Sequence, residues 1–100
     1  MAEQKITIRG NVSDAIATIK HVCNGFGWEL KKEGADTLIF QTPTSILSWG
    51  ESVEIKISTK ADSNSVDVLI TSSASAQLID WGKSRGNVEK LVTELQKNSD

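Results

Sequence analysis

The feature that most restricts what this chain can become is the apolar series Val12, Ala15, Ile16, Ile19, Val22, Cys23 and Phe26. Its three-four spacing runs along one face of an α-helix and does not suit a strand, whose apolar positions recur every second residue. Asn11 stands ahead of the series as a cap, and Asp14 puts a negative charge in the first turn, where the helix dipole favours one. Asn24-Gly25 can take the left-handed conformation, so the helix is expected to stop near Asn24.

The segments on either side have the other period. Lys5-Ile6-Thr7-Ile8-Arg9 alternates and ends at Gly10, which reads as a half-buried strand with Ile6 and Ile8 inward. Trp28–Lys32 and Thr37–Gln41 read as two arms of a hairpin around Gly34-Ala35-Asp36, and Pro43 ends the second arm. Thr42 to Ser48 reads as an irregular or extended link. From Ser52 to Ser58, Val53, Ile55 and Ile57 alternate with Glu54 and Lys56; after a turn at Asp62-Ser63-Asn64, Val66, Val68 and Ile70 alternate with Asp67, Leu69 and Thr71. Ser72 to Gln77 fits either a strand extension or a loop. A last helix is expected from a cap at Asn87, with Val88, Leu91, Val92 and Leu95 as its apolar stripe.

The order is strand, helix, four strands, helix. One antiparallel curved sheet with both helices on one face buries every apolar stripe, so the chain is expected to be a single α+β domain spanning residues 1–100. Because the first connection is a helical crossover, the first strand is free to sit away from its sequence neighbour. The order resembles the TATA-binding-protein-like architecture and its larger helix-grip relatives of the START and pollen-allergen kind. That resemblance implies a curved sheet gripping a long C-terminal helix.

Composition removes several classes of function. A formal net charge of -2 gives no strong attraction to phosphate backbones or anionic lipid, so no nucleic-acid partner is expected. One Cys and one His cannot supply a zinc site of the usual ligand count or an internal disulfide, so no metal or cofactor is expected and a reducing, cytoplasmic compartment fits best. The first residues lack a basic segment leading into an apolar run, and no apolar run approaches membrane-spanning length. His21 lies off the helical stripe and Cys23 lies on it, which makes them a solvated residue and a small buried hydrophobe rather than a catalytic pair. The carboxylate pairs Glu29 and Glu33, and Glu51 and Glu54, read as wet-face charges of strands. No acid–base set stands out, and the chain is not expected to be an enzyme.

What remains distinctive is a pair of Trp-Gly turns, Ser48-Trp49-Gly50-Glu51 and Asp80-Trp81-Gly82-Lys83. Together with Arg85-Gly86-Asn87-Val88-Glu89 they resemble a small bacterial domain family with Trp-Gly-Glu and Asp-Trp-Gly-Lys motifs. The likeness covers the C-terminal half and implies a shared fold; it carries over no catalytic residues. Gly82-Lys83-Ser84 lacks the first glycine of a phosphate-binding loop, whose place is taken by Gln77. A weak anion site near Lys83, Arg85 and Asn87 is the most that helix-dipole arguments support there.

Two readings of the turns follow. In one they are structural, with the rings covering the end of the core and Lys83 or Arg85 within ion-pair reach of Glu51 or Asp80. In the other, Trp49, Glu51, Asp80, Trp81, Lys83 and Arg85 form the binding surface of a non-enzymatic interaction module for a protein or small-molecule partner. The alternative function is a small carrier holding an apolar ligand between the sheet and the C-terminal helix, for which a chain of this length has little core to spare. Self-association, if any, is expected to give a weak homodimer through an edge strand or the wet sheet face.

Overall fold

A computed structural model describes residues 2–43, 50–59, 64–74 and 83–98. Their element order is β1 (Ala2–Arg9), α1 (Val12–Gly25), β2 (Glu29–Glu33), β3 (Thr37–Gln41), β4 (Glu51–Thr59), β5 (Ser65–Ala74) and α2 (Lys83–Asn98). The five strands form one antiparallel sheet in the order β1-β5-β4-β3-β2, so β1 and β2, neighbours in sequence, occupy opposite edges. The α1 crossover makes this possible by carrying the chain across the sheet. The chain is thus an α+β fold with both helices packed on one sheet face and touching one another, α2 over β1 and β5 and α1 over β4 and β2.

Strand alternation decides which face that is. Ile6, Ile8, Leu38, Phe40, Val53, Ile55, Ile57, Val66, Val68 and Ile70 all point inward and meet Ala15, Ile19, Val22 and Cys23 of α1 and Val88, Leu91, Val92 and Leu95 of α2 in one cluster. Cross-strand register sets like against like: Ile55 opposite both Leu38 and Ile70, and Val68 opposite both Ile6 and Ile57. Glu54 and Lys56 take the opposite parity and face outward, as the alternation predicts. Ile16, expected to cover the sheet, only flanks the core and is half-buried.

Both termini of α1 are set by local chemistry. Asn11 accepts a hydrogen bond from the Asp14 backbone N–H at 2.8 Å through its side-chain oxygen, the cap its position foretells. Gly10, at φ 111°, makes the tight corner between β1 and that cap and donates its N–H to the Asn64 carbonyl at 2.9 Å. At the other end the left-handed residue is Gly27 at φ 81°, not the Asn24-Gly25 pair. The Trp28 N–H reaches the Cys23 carbonyl and the Gly27 N–H reaches the Asn24 carbonyl, both at 3.0 Å, which is the paired closure of a Schellman turn. The helix therefore runs one residue further than Asn24, and the turn swings Trp28 back onto Cys23.

Two further boundaries differ from the periodicity. β5 continues as a strand through Ala74, resolving the small polar segment in favour of strand as far as the described residues go. α2 begins at Lys83 rather than at Asn87, which lies a full turn inside it. Arg85 and Glu89 form an i,i+4 pair at 3.0 Å that exists only if the first turn is already helical. Asn87 is accordingly not a cap.

Candidate functional site

The end of the sheet where β3 and α1 finish and β4 begins holds a polar group inside an otherwise apolar face. Glu51 shares the parity of Val53, Ile55 and Ile57, so it points inward and is only 1% exposed. This corrects its reading as a wet-face charge; Glu54, three residues on, does face outward and is half-buried. Burying a carboxylate is costly unless its oxygens are satisfied. Ser72 of β5, itself fully buried, donates its hydroxyl to Oε2 of Glu51 at 3.3 Å.

Thr42 fixes the backbone there. Its N–H donates to the Glu51 carbonyl at 2.9 Å, and its Oγ1 accepts the Glu51 N–H at 2.7 Å, so the β3–β4 ladder is extended by a side chain one residue past the end of β3. The residue read as the start of an irregular link thus anchors β4. Gly50, at φ 85° and buried, feeds the chain into that strand through a backbone conformation that side-chain-bearing residues rarely adopt.

Around Glu51 and Thr42 opens a cleft of about 420 Å³, walled by Phe26 and Trp28 from the α1–β2 connection, Pro43, and Gly86, Asn87 and Lys90 of α2. The Phe26 and Trp28 rings meet at a tilt with centroids 5.0 Å apart, and the Lys90 ammonium sits 4.4 Å above the Phe26 ring. The Gly27 turn places both rings. The cleft therefore offers an aromatic wall, an ammonium, an amide, a hydroxyl and a deeply set carboxylate within one small volume. A broader depression of about 490 Å³ on the outer sheet face, lined by Lys5, Lys56, Asp67 and Leu69 among others, holds no buried polar side chain.

Of the six residues the sequence marks as a binding surface, Trp49, Asp80 and Trp81 lie outside the described residues, as does the side chain of Lys83. Glu51 is at the cleft. Arg85 is not turned toward it: its side chain is 82% exposed and pairs with Glu89 on its own helix. The cleft residues that the sequence reading passed over as site residues are Phe26, Trp28, Thr42 and Lys90.

Cys23 lies within the core and burial pushes its thiol up to about 12, so it is protonated and inert at neutral pH. His21 is exposed. Among the described residues, no three His, Cys, Asp or Glu side chains gather as a metal site, and no helix is long and apolar enough to cross a membrane. No protein-family model matches the chain, and no curated protein is significantly similar to it.

Proposed function

We propose that the protein is a non-enzymatic binding module whose ligand occupies the cleft between the end of the sheet and the first turns of α2, and that this ligand is a small polar molecule carrying both a cationic and an anionic group. The observation that carries the reading is Glu51, a carboxylate kept inside the apolar sheet face at the wall of a cleft that Lys90 of α2 also lines. Glu51 lines the cleft beside Phe26, Thr42 and Lys90, so its negative charge favours a ligand whose cationic group lies at that end. Lys90, already held over Phe26, offers its remaining N–H donors to an anionic group. The volume sits near the small end of the range for ligand pockets.

The order of elements resembles helix-grip proteins, which suggests an apolar ligand between sheet and terminal helix as the second reading. Glu51 weighs against it, because an aliphatic chain laid beside a buried carboxylate offers it neither a hydrogen bond nor a compensating charge. The space beneath α2 is also filled by Val68, Ile70, Leu91 and Leu95, none of them exposed at all. We place the module in a reducing, cytoplasmic setting, in keeping with its single buried thiol.

A thermal-shift screen of amino acids, aminophosphates and simple amines tests the proposal. Ligand at a hundred times its Kd should stabilise the protein by about 2.7 kcal/mol, and Lys90→Ala should abolish the shift. If no zwitterion moves the melting temperature, or Lys90→Ala responds like the wild type, the reading is wrong.

A further inference from the structure

The two edges of the sheet are built differently. β2 is a five-residue strand interrupted by an irregular register at Lys31. Its charges are laced together, Glu29 with Lys31, and Glu33 with Lys20 of α1 at 3.1 Å. A short, irregular, charged edge with a helix side chain reaching to it discourages another strand from adding. β1 also carries charges, Glu3, Lys5 and Arg9, but it is neither short nor irregular. Its eight residues run in unbroken register with β5, from Ala2 opposite Ser72 to Arg9 opposite Ser65, without proline or bulge. On its other side no strand pairs with it among the described residues.

We propose that β1 is an interaction surface for a second copy of this chain, pairing antiparallel with its counterpart about a twofold axis at Ile6 to give one sheet continuous across both copies. The register follows from charge. A twofold axis normal to the sheet keeps the inward side chains of both copies on one side, so facing residues must have numbers of the same parity. Centring on Lys5 opposes Lys5 to itself, and centring on Thr7 opposes Lys5 to Arg9; both bring like charges together. Centring on Gln4 engages only Ala2 to Ile6. Centring on Ile6 sets Glu3 opposite Arg9 at both ends of the junction, Lys5 opposite Thr7, and Ile6 against Ile6.

The outer face of β1 is already ordered for this pairing. Thr7 donates to Asp67 at 2.9 Å, the Lys5 ammonium lies 3.8 Å from the same carboxylate, and Thr71 donates to Glu3 at 3.2 Å. Both Glu3 and Arg9 are exposed. The partner's Arg9 would therefore meet a Glu3 carboxylate already positioned by Thr71.

Sedimentation equilibrium at up to millimolar concentration reads the outcome directly. The wild type should show a monomer–dimer equilibrium. Glu3→Arg and Arg9→Glu should each weaken it roughly tenfold by setting like charges opposite one another twice, and the combined variant should return it to within about twofold of the wild type. Both side chains are exposed, and circular dichroism checks that each variant is folded. As an independent reading, an oxidised equal mixture of Glu3→Cys and Arg9→Cys chains should give a disulfide-linked heterodimer that neither chain gives alone, with Cys23 buried and uninvolved. A wild type that stays monomeric, a dimer indifferent to both single reversals, or a mixture that does not cross-link would each overturn the proposal.

Discussion

Ser72 gives its hydroxyl hydrogen to Oε2 of Glu51 over 3.3 Å, and both side chains lie on the sheet face that also carries Val53, Ile55 and Ile70. The contact runs diagonally across the ladder, since Ser72 stands opposite Val53 and Glu51 opposite Ala74. Two polar residues at the end of an apolar face satisfy each other in part, which lets the carboxylate remain inside. Ser72→Ala removes the donor and leaves the acceptor buried, so it should lower stability by about 1–3 kcal/mol in denaturant melts.

The two Asn-Val sequences should behave differently although they look alike. Asn11 caps α1 through its contact with the Asp14 N–H, and Asn11→Ala should cost about 1 kcal/mol. Asn87 is inside α2, where alanine is the better helix former, so Asn87→Ala should stay within about 0.5 kcal/mol of the wild type. Equal losses at both positions would mean that α2 starts at Asn87 after all.

The fold was legible because its two periods are clean. The stripes of α1 and α2 and the alternation of Val53, Ile55, Ile57, Val66, Val68 and Ile70 each have one inward face, and only a sheet with both helices on one side buries all of them. Boundaries were less so. Gly25 and Gly27 are equally good candidates for a left-handed residue, and only the hydrogen bonds of Trp28 and Gly27 distinguish them. The sequence marks Glu51 as a surface residue, and its burial is not foreseen for a physical reason: a strand's alternation assigns it to the core, but a charge is expected in water, and composition prevails over parity. Ser72, which helps make its burial tolerable, stands 21 residues further along the sequence and leaves no local trace.

Cys23 makes stability depend on alkaline pH. Below pH 9 the thiol is protonated in both folded and unfolded chains and its contribution is complete. Above the unfolded value of 9.0 the open chain loses the proton while the folded chain keeps it to about 12, so stability falls as pH rises through that window. The slope should approach about 1.4 kcal/mol per pH unit, and Cys23→Ala should remove this part of it. Native Cys23 should also resist thiol reagents at pH 8 until denaturant opens the core; rapid labelling of the folded protein would contradict its burial.

Trp28 and Lys90 border the same cleft but should divide stability from binding. Trp28 is 6% exposed and closes the core at the end of α1, so Trp28→Ala should cost about 3–5 kcal/mol. Lys90 is exposed apart from its contact with Phe26, and Lys90→Ala should cost no more than about 1 kcal/mol in a urea melt. A large loss from Lys90→Ala would mark the ammonium as structural and take it out of the ligand site.

The central claim, that the cleft beside Glu51 is a ligand site, is tested most directly by titrating 15N-labelled protein with the best zwitterion from the thermal screen and following its amide resonances. The account predicts saturable shifts concentrated at Phe26, Trp28, Thr42, Glu51, Gly86, Asn87 and Lys90, the residues that line the cleft with Pro43, and their loss in Lys90→Ala. Shifts centred instead on the outer sheet face around Lys5, Lys56 and Leu69, or none at saturating ligand, would contradict it.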